Sequence, residues 1–435
     1  MMSLSILNMK IRDRKACIGV LGLGYVGLPL ALLFSRRYNV IGFDIDKEKI
    51  NMLKNKKSYL IDINDTDLSE HKDFYPTYNE KDLIDCDFKI ICVPTPLSNG
   101  KPDMSFVTNA AEIVSKNMKQ DQFIIIESTV HPMATKEEIL PILLGSGLNI
   151  GEFGLAFSPE RIDPCNQKYN IYNIPKVVGG MNEEFTDIAA KLYESVINAE
   201  IIKVSSCEVA EATKILENTF RQVNIAMINE LALLFERMGI DIWEVIRAAS
   251  TKPFGFMPFY PGPGIGGHCT PVDPVYLMEK AKEYDFDTRF INLSTEINDY
   301  MKVHVIELVK IALEYNNKKI NNSVVAVFGL SYKKNINDTR EASAIKILEN
   351  LKKGGAEIKV YDPFVKIIRT SSGDFLSERT PQDALENADC AVFLVDHDVF
   401  TNIKINEKVS IIDCKNIFNR DKITNRYYGI GKMMR

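Results

Sequence analysis

Short apolar runs recur along the first two hundred positions. Each is followed by glycine, proline or hydroxyl residues, and several then give way to apolar positions spaced three and four apart. Ala16–Val20 predicts a strand, Leu28–Ser35 a helix and Asn39–Asp44 a second strand. Lys89–Val93, Phe123–Ile126 and Leu155–Phe157 predict further strands, and Lys176–Val178 and Glu200–Val204 flank a helix at Asn182–Val196. Unbroken apolar runs suit strands of a parallel sheet buried on both faces. Ser205–Gly239 carries a long helical period, capped by Ser205 or Ser206 with Glu208 in the first turn and stopped by Gly239. Asp241–Ser250 predicts another helix, and Lys280–Asn298 and Tyr300–Tyr315 a helix pair. After a polar linker at Asn316–Asn322, strands at Val324–Gly329, Ile358–Tyr361, Ala391–Val395 and Val409–Ile412 restart the pattern around a helix at Ala342–Lys352. The fold class expected is α/β: two Rossmann-like doubly wound parallel-sheet domains joined by a long central helix and a small helical domain. The boundaries expected are 1–204, 205–315 and 316–435.

Composition narrows the function. The 435 residues, 46% hydrophobic and 26% charged, are those of a soluble globular chain, and at ~150 residues per domain they make two or three domains. A net charge of −5 gives no basic footprint for nucleic acid. No apolar run approaches the ~20 residues of a membrane helix, and Met1–Arg14 lacks the apolar core of a signal peptide. Eight cysteines without a CxxC pair suggest neither zinc nor a disulfide framework, so no metal is expected. A reducing cytoplasm is the expected compartment.

Three stretches carry candidate chemistry. Gly22-Leu-Gly24-Tyr25-Val26-Gly27 lies between the first strand and helix, and Asp44 ends the next strand. That is the dinucleotide fingerprint: Gly22 for the tight turn, Gly24 for approach to the pyrophosphate, Gly27 for close packing, and Asp44 for the adenosine ribose. An acid there favours NAD over NADP. Thr95, Thr129 and Glu160 follow later strands, where ligands bind in open sheets; each is equally a turn former or helix cap. On the long helix, Lys214 and Asn218 are four apart and share a face with Glu211. They are either a solvated stripe or a buried pair able to serve as general base and oxyanion donor. The helix is also a natural dimer surface.

The third stretch is Pro261-Gly-Pro-Gly-Ile-Gly-Gly-His-Cys-Thr-Pro-Val-Asp-Pro274. Its glycines let backbone turn or approach a ligand closely. Thr270 and Pro271 predict the cap and first residue of a helix, with Cys269 just outside it and Asp273 one turn on. A helix N-terminus lowers a thiol pKa, so Cys269 is either a nucleophile or a buried structural thiol. Further on, Lys333–Arg340 is a basic turn that suits phosphate or is simply solvated surface.

Taken in order, Gly22–Pro29, Val93-Pro-Thr-Pro96, Ser128-Thr-Val130, Ser158-Pro-Glu160, Glu211-x-x-Lys214-x-x-x-Asn218, Gly266-Gly-His-Cys269-x-x-x-Asp273 and Asp338-Thr-Arg340 resemble the UDP-glucose/GDP-mannose dehydrogenase family over about residues 16–420. The resemblance implies a four-electron oxidation of a sugar C6 alcohol to a carboxylate with two NAD+, in a homodimer or higher homo-oligomer. It implies Cys269 as nucleophile, Lys214 and Asn218 as oxyanion partners, Thr129 and Glu160 as holders of the catalytic water, and Asp273 as the acid beside the thiol. Gly22, Gly24, Tyr25, Val26, Gly27, Asp44, Lys49, Thr95, Thr129 and Arg340 match NAD contacts. Glu160, Arg161, Lys214, Asn218, Tyr260, Gly266 and Lys333 match contacts to a UDP-sugar. UDP-glucose enzymes of the family tend to carry Pro-Glu-Phe-Leu-x-Glu, whereas here Pro159-Glu-Arg-Ile-Asp-Pro164 ends in proline. That segment and Ser250–Tyr260 resemble the UDP-N-acetylglucosamine 6-dehydrogenases, with UDP-N-acetylmannosamine and then UDP-glucose as alternatives. A role in surface polysaccharide synthesis follows. Outside this class stand a two-electron epimerase or reductase and a non-catalytic dinucleotide sensor.

Overall fold

The computed structural model describes residues 4–60, 63–162, 166 and 168–432; Pro164 lies outside them. The chain forms two compact units, Met1–Glu217 with Val275–Asp285, and Asn218–Pro274 with Phe286–Arg435.

The first unit is built on an eight-stranded sheet: β1 Cys17–Leu21, β2 Asn39–Phe43, β3 Phe74–Thr77, β4 Phe88–Ile91, β5 Phe123–Ile126, β6 Gly154–Phe157, β7 Lys176–Gly180 and β8 Ile201–Val204. The spatial order is β8-β7-β6-β5-β4-β1-β2-β3. The chain leaves β1 towards β2 and returns to its other side as β4, so the switch point of the sheet lies between β1 and β4. Residues of β5 alternate between the two cores. Phe123 and Ile125 pack with Phe34, Phe88 and Tyr193, while Ile124 and Ile126 pack with Phe153 and Phe157. Two buried faces explain the unbroken apolar runs. One pair departs from the all-parallel expectation: β6 and β7 are antiparallel, with Phe157 opposite Gly179. No helix lies among the described residues between them, so the chain doubles back without a crossover. β3 was not predicted, because Pro76 breaks its apolar run; a proline is tolerated there since β3 is an edge strand.

The second unit holds a five-stranded parallel sheet: β9 Val324–Phe328, β10 Glu357–Tyr361, β11 Cys390–Phe393, β12 Ser410–Asp413 and β13 Tyr427–Gly429, ordered β10-β9-β11-β12-β13. Its first turn repeats that of the first sheet. Gly22 (φ +91°) donates its amide to the Phe43 carbonyl at 2.8 Å, and Gly329 (φ +88°) donates to that of Tyr361 at 3.0 Å. The next amides, of Leu23 and Leu330, donate to the carboxylates of Asp44 (2.9 Å) and Asp362 (2.6 Å). The halves diverge at the acid. Asp362 Oδ2 also meets His397 Nε2 at 3.1 Å, with both side chains fully buried.

The central helix runs Cys207–Met238, with residues to Glu217 in the first unit and the remainder in the second. Arg289–Tyr315 is a single helix of 27 residues rather than the expected pair. No glycine or proline interrupts it, and Ile291, Ser294, Asn298, Met301 and Val305 keep one buried stripe in phase through the expected break. The helix after the cysteine loop begins at Asp273, not at Pro271.

Candidate active site

In the first unit the glycine turn separates into three roles. A Cβ on Gly22 would lie 2.7 Å from the Cys92 carbonyl oxygen, and one on Gly27 only 1.8 Å from that of Gly22. A Cβ on Gly24 would meet nothing within 4 Å. Two glycines are therefore demanded by packing, while the third faces open space beside the switch point. Tyr25 and Val26 complete the turn, half-buried against the core. Asp44 is 8% exposed. Its Oδ2 accepts from Leu23 and its Oδ1 from the Asp46 amide at 2.9 Å, and Lys49 Nζ lies 3.9 Å away. A cleft of about 460 Å³, lined by Phe43, Ile45, Tyr78 and Ile113 among others, opens beside it. Open space at Gly24, a fixed acid and an apolar cleft fit the phosphates, ribose and base of a dinucleotide. Thr95 and Thr129 follow β4 and β5, each half-buried.

Beyond β6, Lys214 Nζ donates to the main-chain oxygen of Glu160 at 2.6 Å. Glu160 Oε1 accepts the amides of Arg161 and Ile162, each at 2.6 Å. Arg161 is fixed by Glu217 (2.6 Å) and the Pro175 carbonyl (2.7 Å). One turn before Lys214, the buried Glu211 carboxylate accepts the amides of Met133 (2.7 Å) and Thr135 (2.8 Å). This ties the segment after Thr129 to the central helix. Burial pushes the Glu211 carboxyl up to about 7. Lys214 is 8% exposed, so its side chain is buried rather than part of a solvated stripe.

In the second unit the Cys269 carbonyl accepts the amides of Val272 (3.0 Å) and Asp273 (2.8 Å), which closes the turn into the Asp273–Lys282 helix. The Asp273 carboxylate, 2% exposed as a residue, accepts from Asn218 Nδ2 at 2.5 Å. Cys269, Asp273 and Asn218 thus form one cluster, whereas Lys214 and Glu160 meet in the first unit. Buried Asn229 and Asn298 hold the loop: Asn229 accepts from Gly262 at 3.0 Å and donates to Asn298 at 2.9 Å. Gly266 and Gly267 lie against Tyr332, whose atoms a Cβ would reach at 2.8 and 2.9 Å. Packing on Tyr332 crowds both positions, and at Gly267 a φ of +91° itself favours glycine. Tyr260 stacks on Trp243 with ring centres 5.8 Å apart. Lys333 is half-buried, and the exposed Arg340 pairs with Asp338 on its own turn.

The cysteines differ in setting. Burial raises the thiol pKa of Cys92, Cys207, Cys390 and Cys414. The Cys86 hydrogen bond lowers that of Cys17, but Cys17 opens β1, at the end of the strand away from the ligand edge. Cys269 is half-exposed on a loop. Sequence reading passed over Lys176, Glu127, Asn229 and Asn298, although a lysine opening an otherwise apolar strand is a visible signal for the first. Among the described residues no helix is long and apolar enough to cross a membrane, and no group of three His, Cys, Asp or Glu could hold a metal ion.

Comparison with known proteins agrees across the chain. Profiles of the UDP-glucose/GDP-mannose dehydrogenase family match in order: the NAD binding domain at residues 16–197, the central domain at 208–300 and the UDP binding domain at 326–420. The chain is 38% identical to protein CapL of Staphylococcus aureus, covering 93% of this chain and 97% of that protein. It is 39% identical to the UDP-N-acetyl-D-glucosamine 6-dehydrogenase of Pseudomonas aeruginosa, covering 80% and 83%. Among solved structures it resembles the UDP-D-ManNAc dehydrogenase of Pyrococcus horikoshii, with a TM-score of 0.89, 34% identity and coverage of 95% and 99%. The chain belongs to the UDP-glucose/GDP-mannose dehydrogenase family and is an NAD-dependent oxidoreductase of UDP-sugars.

Proposed function

We propose that the enzyme oxidises the C6 alcohol of UDP-N-acetylglucosamine to the carboxylate. The observation that carries this reading is the bond of Asn218, on the central helix, to Asp273, whose amide in turn closes onto the Cys269 carbonyl. NAD+ held at the Gly22–Gly27 turn supplies the hydride acceptor, two molecules per sugar. Lys214 takes the alcohol proton as the aldehyde forms, and Asn218 and Lys214 hold the C6 oxygen. An aldehyde carries no good route to an acid by direct loss of hydride. Cys269 therefore adds through sulfur to give a thiohemiacetal, whose oxidation leaves a thioester. Water held by Glu160 and Thr129 then breaks the C–S bond, and Asp273 assists the proton on sulfur. The buried Asp44 accepts the ribose hydroxyls and disfavours a 2′-phosphate.

Pro159-Glu-Arg161, with Arg161 fixed by Glu217, supports an N-acetylhexosamine over glucose. The name of the Pseudomonas aeruginosa relative favours the gluco sugar, and that of the Pyrococcus horikoshii protein keeps UDP-N-acetylmannosamine as the second reading. Lys333 and Gly266 would serve the UDP-sugar, and Arg340 the cofactor. In this reading residues 1–204 bind NAD, 205–315 carry the cysteine loop and 316–435 grip the UDP. Phe220, Met227, Leu234 and Met238, exposed along one stripe of the central helix, suit a homodimer. A reducing cytoplasm suits the thiol chemistry. The test is NADH formation at 340 nm with a panel of UDP-sugars. Two NADH per UDP-N-acetylglucosamine, at the highest kcat/KM of the panel, is the expected result. One NADH per sugar overturns the chemistry, and a higher kcat/KM for the manno sugar overturns the substrate.

A further inference from the structure

Lys176 opens β7, a strand whose other residues, Val-Val-Gly-Gly, are buried and uncharged. Its side chain is 6% exposed and lies between two carboxylates, 3.1 Å from Glu127 Oε2 and 3.8 Å from Glu160 Oε2. The other oxygen of Glu127 accepts the Tyr193 hydroxyl, and the Tyr193 ring lies 4.9 Å from the ammonium. The other oxygen of Glu160 is held by the Arg161 and Ile162 amides. Glu160 Oε2, buried and without a hydrogen-bond donor among the described residues, is held only by the charge of Lys176. Burial pushes the Glu127 carboxyl up to about 7. Burial alone would lower the Lys176 ammonium, but the two carboxylates more than offset it and raise it. The other groups around Glu160 are committed or neutral. Lys214 donates to its main-chain oxygen, Arg161 is engaged by Glu217, and burial keeps the Cys92 thiol protonated. A buried ammonium is costly unless paired. Two carboxylates sharing one cation is an arrangement in which removing any member redistributes the charge on the rest.

We propose that Lys176 is a positioning residue for this oxidation: it divides one positive charge between Glu127 and Glu160, and so holds the Glu160 carboxylate in place for the hydrolytic step. In that step a water O–H bond breaks and its proton goes to Glu160. The water oxygen bonds to the acyl carbon, and the C–S bond breaks to release the Cys269 thiolate. The inference rests on the assignment of Glu160 to the catalytic water.

The experiment measures kcat against pH for the full chain with NAD+ and the UDP-sugar it turns over fastest, in the wild type and in Lys176→Met, Lys176→Arg, Glu127→Gln and Glu160→Gln. Lys176→Met is expected to lower kcat about 10- to 100-fold, as for loss of an outer-shell partner, and to move the acidic limb to higher pH. KM for sugar and NAD+ should stay within about threefold, and acyl-enzyme should accumulate after mixing. Lys176→Arg should restore the limb towards wild type. Glu127→Gln removes the competing carboxylate and should move the limb the opposite way, to lower pH. Coincident limbs for Lys176→Met, Glu127→Gln and wild type, or shifts in the same direction, overturn the inference. If Lys176→Met does not fold, the direction of the Glu127→Gln shift decides alone. Full turnover by Glu160→Gln instead overturns the role of Glu160, whatever Lys176 does.

Discussion

Asn218 Nδ2 donates to Asp273 Oδ2 at 2.5 Å, so an amide of the central helix is locked to the first residue of the helix that follows the cysteine loop. A carboxamide has two N–H groups, and this bond uses one and leaves the other oriented. Asn218→Ala should lower kcat about 10²- to 10³-fold, the cost of losing one oxyanion donor, with a smaller change in sugar KM. Asn218→Asp should be worse than alanine, because it sets a second carboxylate against Asp273. Steady-state NADH formation checks both.

The glycine turn separates folding from binding. Gly24→Ala should leave the melting temperature within about 2 °C of wild type while raising the Kd for NAD+, since its Cβ enters open space. Gly27→Ala places a Cβ 1.8 Å from a carbonyl oxygen and should destabilise the first unit or prevent its folding. Scanning calorimetry and titration with NAD+ on the same samples distinguish the two.

Asp44, the proposed ribose ligand, is also a brace. Asp44→Asn keeps one acceptor and removes the charge. It should raise the NAD KM roughly ten- to a hundredfold, the order expected from the 1.5–3 kcal/mol of a charged hydrogen bond, and improve the relative kcat/KM with NADP+. Asp44→Ala should add a loss of stability, because the Leu23 and Asp46 amides lose their acceptor. Unchanged NAD kinetics in both variants would place the ribose elsewhere.

Glu211 sets a pH dependence. Its folded carboxyl is pushed up to about 7 from an ordinary 4.5, so the folded state prefers it protonated. Its contribution is most favourable below about pH 4.5 and is lost as pH rises towards 7. At ~1.4 kcal/mol per unit the span amounts to roughly 3 kcal/mol at most. Glu211→Gln should start from a lower stability, since one of two backbone amides loses its acceptor, but should lose less between pH 5 and pH 7.5. Calorimetric melts at the two pH values give the comparison.

Much of the architecture is legible because burial on two faces writes unbroken apolar runs, and the Phe123–Ile126 run is itself the strand. What the chain hid has physical causes. Pro76 disguises an edge strand, β13 is too short to make a run, and the start of the Asp273 helix depends on where the Cys269 carbonyl closes its turn. At the site, residue types were legible but their surroundings were not. Lys214 alternates with apolar neighbours whether its ammonium meets water or the Glu160 carbonyl, and only the fold distinguishes these. The Glu127–Lys176–Glu160 chain spans about fifty residues of sequence, so no local window contains it.

The repeated first turn has a consequence for stoichiometry. Each sheet closes a glycine turn onto an acid at the tip of its second strand, and such an acid is the ribose anchor of a dinucleotide fold. In the second sheet His397 and four main-chain amides consume Asp362 entirely, with no exposed edge left for a sugar hydroxyl. Of these two anchor geometries, that of Asp44 is the one proposed above to take a ribose. On the four-electron reaction proposed above, the two cofactor molecules pass through the Asp44 anchor in succession, the first departing reduced before the second enters.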